Sequence, residues 1–148
     1  MEAKFSTSNQ QEFHQEVEKY IGKTKYNEGH EQIVPLHPRI GKGQIRHFEF
    51  NSGLGLTIQD YFTQENITLE TEVNFPFFGF CWVISGCSNY KVNYQLADKN
   101  FKFRPQQQII SYSNNLQCTY ELEKNKKVSM VGLSLDAYLH NCYLQDLQ

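Results

Sequence analysis

The chain has 148 residues, which suits one domain with its own core. No apolar run approaches the roughly 20 residues that a membrane helix needs, and the first thirty residues contain no apolar signal segment. We therefore expect a cytoplasmic protein without membrane contact. A formal net charge of −2 argues against a nucleic-acid-binding domain.

Aromatic residues and cysteines are the informative parts of the composition. Aromatics make up 14% of the chain, with 11 Phe and 9 Tyr, and they require a β-rich core, a ligand cavity or both. The cysteines lack the paired spacing of a zinc site, so we expect reduced thiols. Cys81 and Cys118 stand in apolar contexts and are predicted to be small core residues. The four cysteines are Cys81, Cys87, Cys118 and Cys142.

One helix is predicted over residues 8–21, where apolar side chains recur with helical spacing. Ser8 or Asn9 can cap its start, and Gly22 can end it. Its apolar stripe consists of Phe13, Val17, Tyr20 and Ile21. Residues 22–43 are predicted to be irregular because prolines and glycines interrupt them.

From Gln44 onward the apolar period changes from helical to two, which predicts strands. Phe77–Ile84 is apolar on both faces and is predicted to be a central strand covered on both sides. Ala97–Asn100 is predicted to be a turn. The nine predicted strands are Gln44–Phe50, Leu54–Phe62, Ile67–Val73, Phe77–Ile84, Asn89–Tyr94, Phe101–Phe103, Ile109–Tyr112, Leu116–Leu122 and Val128–Leu135. Short strands at this spacing indicate a sandwich or barrel.

Asp136 is predicted to cap a final helix that is still running where the chain ends. We therefore expect a truncated or excised domain. In this division, residues 1–34 form an N-terminal helix and arm, residues 35–135 form the β-domain, and residues 136–148 begin a dimerisation or linker helix.

The sequence offers no metal or nucleophile motif. Metal-binding barrels carry two histidines one residue apart on a strand, and no H-x-H occurs here. His47, the only histidine well inside a predicted strand, is expected to be half-buried or exposed. Gly41 and Gly43 precede a strand and are expected to form a tight turn, not a phosphate loop. We expect no catalytic residues, no bound metal and no cofactor.

The aromatic residues are the strongest functional signal. Phe78, Phe80 and Trp82 alternate on one face of the most apolar strand, with tyrosines on neighbouring strands. The simplest interpretation is an aromatic core, and the alternative is a partly wet cavity for an aromatic, oxygen-rich ligand. Arg46 and His47 point to opposite faces, and the planar fork of Arg46 suits a carboxylate or catecholate better. The predicted ligand-binding residues are Trp82, Phe78, Phe80, Arg46, Tyr90, Tyr112 and Tyr120.

Three stretches carry a resemblance to a known family. They are IGKGQI at 40–45 with GLGLTIQDY at 53–61, FFGFCWVISG at 77–86 and VSMVGLSLDAYL at 128–139. Over roughly residues 35–140 the chain resembles the N-terminal domain of AraC-type transcription regulators, in the branch that contains the pyochelin-receptor regulator. The resemblance implies a cupin-like double-stranded β-barrel that senses a small molecule, followed by dimerising helices and DNA-binding helix-turn-helix units.

The resemblance favours one of three hypotheses. The preferred one is the effector-binding domain of a cytoplasmic AraC-type regulator, with a siderophore-like effector, homodimer formation and DNA contact only through a helix-turn-helix domain that this chain lacks. The second hypothesis is a small cupin-fold enzyme or a protein that binds a carbohydrate or aromatic ligand. The third is a dimerisation module with a filled barrel.

Overall fold

The computed structural model describes residues 1–26, 29–50, 53–86, 88–94 and 97–135. Cys87, His140, Cys142 and the predicted C-terminal helix lie outside these residues. Within them, the elements in chain order are β1 (Glu2–Thr7), α1 (Gln10–Ile21), β2 (Lys25–Tyr26), β3 (Glu31–Pro35), β4 (Gly41–Phe50), β5 (Leu54–Thr63), β6 (Ile67–Val73), β7 (Phe77–Ser85), β8 (Ser88–Tyr94), β9 (Ala97–Phe103), β10 (Gln108–Ser113), β11 (Leu116–Leu122) and β12 (Lys127–Leu135).

The strands form two sheets that enclose a common core. Sheet A has the order β1-β6-β11-β8-β9, and sheet B has the order β10-β7-β12-β5-β4-β3-β2. β1 and β6 run parallel, and the other described pairs are antiparallel. The predicted mainly β sandwich with an N-terminal helix is therefore confirmed.

Alternation of apolar and polar residues decides which face of each strand meets the core. In β1, every second residue is buried, and Ala3, Phe5 and Thr7 face inward. Leu69 and Leu122 of sheet A join Val83 and Met130 of sheet B in one apolar cluster. Cys118 is buried and Cys81 packs against the core, as predicted for small core residues, and burial raises the pKa of the Cys81 thiol.

Three sequence predictions about strands were wrong. The segment predicted to be irregular, 22–43, contains β2, β3 and the start of β4, and β1 precedes the helix. Ala97–Asn100 is the first half of β9, not a turn, because it pairs with β8. Gly41 and Gly43 lie within β4. At Gly43 (φ +112°) a Cβ atom would lie 2.3 Å from the carbonyl oxygen of Asp60, so glycine lets β4 approach β5 closely.

Helix α1 closes one side of the sandwich. Asn9 caps its start, and the Asn9 Oδ1 atom accepts a hydrogen bond from the Glu12 N–H at 2.9 Å. Gly22 ends the helix, as predicted. The ring of Phe13 meets Phe5 of β1 edge-on, with centroids 5.9 Å apart. Because α1 also contacts β3, it spans from the β1 edge of sheet A to sheet B.

Strand β7 is covered on one face and exposed on the other, so its predicted coverage on both sides was wrong. Val83 is 1% exposed and faces the core. Its neighbours Trp82 and Ile84 are 49% and 55% exposed and face outward. The inner residues of β7 belong to the core. Its outer residues are also apolar, but they form part of an exposed surface and not of a second core.

Candidate functional site

A cleft opens between the edge strands of the two sheets, on the side opposite α1. β9 is the last strand of sheet A and β10 the first of sheet B, and they do not pair with each other. The gap between them has a volume of about 850 Å³. Ligand pockets typically measure about 300–1,000 Å³, so the cleft is large enough for a small molecule.

The turn that joins β9 to β10 fixes the geometry of the cleft. In this turn, the Gln106 N–H donates to the Val83 carbonyl at 2.8 Å, and the Val83 N–H donates to the Gln107 carbonyl at 3.0 Å. The side-chain oxygen of Gln107 accepts a hydrogen bond from the Arg104 N–H at 2.8 Å. These bonds attach the turn to β7, so backbone hydrogen bonds to Val83 hold the mouth of the cleft.

The cleft has an apolar floor and a basic, polar rim. Tyr90 stacks on Phe103 with centroids 5.2 Å apart, and Ile109 reaches the floor from β10. Lys102 and Arg104 are exposed at the rim. The described lining contains these two cations and no carboxylate, histidine or cysteine. It consists of Tyr90, Val92, Asn100, Lys102, Phe103, Arg104, Gln107, Gln108, Ile109, Ile110, Ser111, Tyr112 and Leu116.

An aromatic cluster fills the interior behind the cleft. The ring of Tyr120 meets Tyr90 edge-on at 5.9 Å, and its hydroxyl lies 3.8 Å from the sulfur of Met130. Tyr61 is 6% exposed, and burial raises its pKa well above the ordinary value. The tyrosine rings therefore pack the core at this end, and the open volume lies towards β9 and β10.

The structure divides the predicted ligand-binding residues between two surfaces. Tyr90 and Tyr120 lie on the inner face of sheet A, in the aromatic cluster behind the cleft. The residues on the outer face of sheet B are Phe78, Phe80, Trp82, Arg46 and Tyr112. Of these five, Tyr112 also lines the rim of the cleft. Phe78, Phe80 and Trp82 therefore lie in neither the aromatic core nor the interior cavity that the sequence left open, and their binding of a ligand stays a prediction.

Arg46 and His47 point to opposite faces, as predicted, but Arg46 faces outward. Its guanidinium pairs with Glu31 of the neighbouring strand and lies over the Phe48 ring, 5.1 Å from the centroid. Arg46 is therefore already engaged by a carboxylate on the outer surface. The prediction that it meets an anionic group of a ligand stays a prediction, and in this structure its anionic partner is Glu31.

His47 faces inward and forms an unpredicted pair with His14 of α1. The two rings are 4.3 Å apart, and Nδ1 of His47 lies 2.9 Å from Oγ1 of Thr57. His47 is 4% exposed, more buried than expected. Burial, and to a lesser extent the neighbouring His47, lowers the pKa of His14 to about 4. Burial likewise lowers the pKa of His47, opposed by the charge of Glu49.

The histidine pair does not amount to a metal site. A zinc-type site takes three or four side-chain ligands, and no group of three His, Cys, Asp or Glu side chains that could hold a metal occurs among the described residues. The residues around His47 thus do not fit the metal that cupin-type barrels often hold.

In the described parts of the chain, no helix is long and apolar enough to cross a membrane.

Lys102, Arg104 and Gln107 are the site residues that sequence reasoning missed. A usable signal was present, because basic residues alternate with aromatic ones in KNFKFR at 99–104, directly before Pro105. That pattern places Phe103 on the opposite face of the strand from Lys102, just before the turn. His14 carried no comparable signal, since its partner is 33 positions away in sequence.

The fold is similar to those of solved structures, among them vicilin and CapF. Vicilin from hazelnut, Corylus avellana, matches with a TM-score of 0.55 and 11% identity, over 76% of this chain and 33% of that chain. The capsular polysaccharide assembling protein CapF from Staphylococcus aureus matches with a TM-score of 0.53 and 8% identity, over 70% of this chain and 30% of that chain. The chain thus spans about a third of the length of either protein.

These similarities concern the fold. No family model and no curated protein matches the sequence. The likeness to vicilin, a cupin-fold protein, confirms the predicted cupin-like architecture. At 8–11% identity, neither similarity carries information about the ligand or the activity of this chain.

Proposed function

We propose that this cupin-like domain binds a small, planar, anionic molecule in the cleft between β9 and β10. The observation that carries the proposal is the combination of an apolar aromatic floor with a rim whose described charges are all positive. A flat ring would lie on the Tyr90 and Phe103 side of the cleft, where aromatic contact is favourable. A carboxylate, phenolate or catecholate on that ring would meet Lys102 or Arg104.

The lining supports binding more than catalysis. General acid–base or nucleophilic chemistry requires a titratable or nucleophilic side chain near the reacting atoms. The described lining offers hydroxyls, amides and two cations, but none of the carboxylate, imidazole or thiol groups that such reactions most often use. A binding or sensing role therefore agrees better with the described residues than an enzymatic one.

Two biological roles are compatible with such a binding site. In the first, the chain is the effector-binding domain of a cytoplasmic AraC-type regulator, as the resemblance of residues 35–140 implies, and the effector is a siderophore-like catecholate. In the second, it is a cupin-fold protein that binds a carbohydrate or aromatic acid without regulating transcription. A helix-turn-helix pair encoded directly after codon 148 would favour the first role, and a stop codon there would favour the second.

The binding proposal is tested by calorimetric titration of the full chain with three classes of anionic probe: a hydroxybenzoate, a uronic acid and a ferric catecholate siderophore. We expect at least one class to bind, and we expect its neutral amide or ester analogue to bind more weakly. Arg104→Gln should weaken binding about tenfold or more, as expected when a charge-assisted hydrogen bond is lost.

The matched control is Lys124→Gln, which removes a positive charge from an exposed turn outside the cleft. It should leave the affinity unchanged. Equal weakening by both substitutions would mean that only the net charge matters and would contradict a specific site. Failure of all three probe classes to bind would refute the proposed ligand chemistry.

A further inference from the structure

Among the described residues, the exposed large apolar side chains belong to strands of sheet B, on its outer face. Five large apolar side chains on three adjacent strands are 40–69% exposed there, namely Trp82, Ile84, Ile110, Tyr112 and Leu133. We call these five residues the sheet B patch. Strand registry makes them contiguous, because Ile110 pairs with Phe80 on β7, and Phe80 pairs with Leu133 on β12.

We propose that the sheet B patch is the interface through which two copies of this chain form a homodimer. At the 150–250 Å² typical of large side chains, the exposed parts of these five residues present roughly 500 Å² of apolar surface. A contiguous apolar patch of this size is near the upper end of what monomeric proteins expose, and such patches often mark interaction sites. A standard interface buries about 800 Å² on each partner, so the patch and its surroundings are large enough for a stable dimer.

The distribution of charge around the patch fits a second copy of the same surface. Its five residues carry no charge, so two patches related by a two-fold axis meet without repulsion. Ionic groups lie further along the same face, where Lys127 pairs with Asp60 at 3.2 Å and Arg46 pairs with Glu31. An aromatic and aliphatic centre with a charged rim is the usual composition of protein interfaces.

The outer face of sheet A provides the contrast. Its exposed residues are polar or charged, and they include the ion pairs Lys4–Glu70 and Lys91–Glu121. A shallow concavity of about 430 Å³ on that face is bordered by such groups. A solvated face of this kind needs no partner, so the apolar character of sheet B is not a general property of the fold.

Sedimentation velocity of the full chain without ligand tests the dimer. We expect a dimer with a dissociation constant of about 1 μM or below. Leu133→Lys and Ile84→Lys should each raise that constant about tenfold or more, because each buries an unpaired ammonium group in the interface. Two variants are used so that a folding defect in one, visible by circular dichroism, leaves the other informative.

The control is Gln117→Lys, which adds the same charge at an exposed strand position on the outer face of sheet A. It should remain dimeric. Trp82, the only tryptophan, supplies an independent readout, since dilution below the dissociation constant should shift its emission to longer wavelength and increase its quenching by acrylamide.

Several results would overturn the proposal. One is a wild-type chain that stays monomeric at about 100 μM, a hundred times the expected dissociation constant. A second is a dimer that survives both lysine variants as well as the control does. A third is a monomer in which Trp82 is protected from acrylamide, because another part of the same chain would then cover the patch. Ligand binding in the cleft is measured separately, so failure here leaves the proposed function standing.

Discussion

Acidification should destabilise this protein through the buried pair formed by His14 and His47. The pKa of His14 is lowered from 6.5 to about 4 in the folded chain. Between these values the unfolded chain binds a proton at this position and the folded chain does not. Stability therefore falls as the pH decreases from about 6.5 to about 4, and the contribution of the neutral histidine is complete above pH 6.5.

The structure explains why protonation of His14 is unfavourable in the folded state. Among the described residues, Nε2 of His14 is buried and has no hydrogen-bond partner. A charge there would also face the ring of His47, 4.3 Å away. A pKa shift from 6.5 to about 4 corresponds to about 3 kcal/mol in full, of which about 2 kcal/mol is lost between pH 7 and pH 5. The lowered pKa of His47 acts in the same direction.

The measurement is urea unfolding at pH 7 and at pH 5 for the wild type and for His14→Gln. Because glutamine does not titrate, the variant should lose about 2 kcal/mol less than the wild type over this interval. The variant is compared with itself at two pH values, so any constant cost of the substitution cancels. His30→Gln, at an exposed position, is the control and should behave as the wild type does. Equal pH dependence in the wild type and His14→Gln would refute the reasoning.

Two further predictions concern packing. Val83→Ala should cost about 2 kcal/mol of unfolding free energy, because Val83 is 1% exposed. Ile84→Ala, at a position that is 55% exposed, should cost less than about 1 kcal/mol in the monomer. Equal losses of stability in urea titrations would show that the wrong face of β7 has been assigned to the core. Gly43→Ala should be much more destabilising than Gly29→Ala, since both glycines have positive φ but a Cβ atom meets the Asp60 carbonyl only at Gly43. Thermal unfolding of the two variants checks this, and similar melting temperatures would show that close approach of β4 to β5 does not matter.

The strands that sequence analysis located are those with clear alternation and a turn signal at each end. Ile67–Val73 and Leu116–Leu122 have the predicted boundaries. β1 was missed because its outward residues are polar and its inward residues, Ala3, Phe5 and Thr7, are too different in size to read as an apolar period. β3 was missed because prolines lie in and just after it, and its position at one side of sheet B tolerates them.

The candidate site was harder to predict than the fold, because alternation separates the two faces of a strand without saying which one is interior. Phe78, Phe80 and Trp82 were correctly placed on a common face. Their assignment to the interior failed because Gly79, Cys81 and Val83, the alternate set, are smaller yet form the core side. To predict the cleft, one must know that β9 and β10 do not pair with each other. Local sequence patterns do not contain this tertiary information.

Strands β6 and β7 differ in the residues on their outer faces. In β6, apolar residues alternate with Thr68, Glu70 and Glu72, as in a strand whose outer face meets water. In β7 both sets are apolar, although one sheet face can pack against only one core. Since Val83 and Cys81 already meet sheet A, the large residues opposite them contribute nothing to the core of the monomer. The outer residues Trp82 and Ile84 are 49% and 55% exposed, and exposed apolar side chains lower solubility unless another surface covers them. This is the physical reason for assigning the sheet B patch to a partner copy.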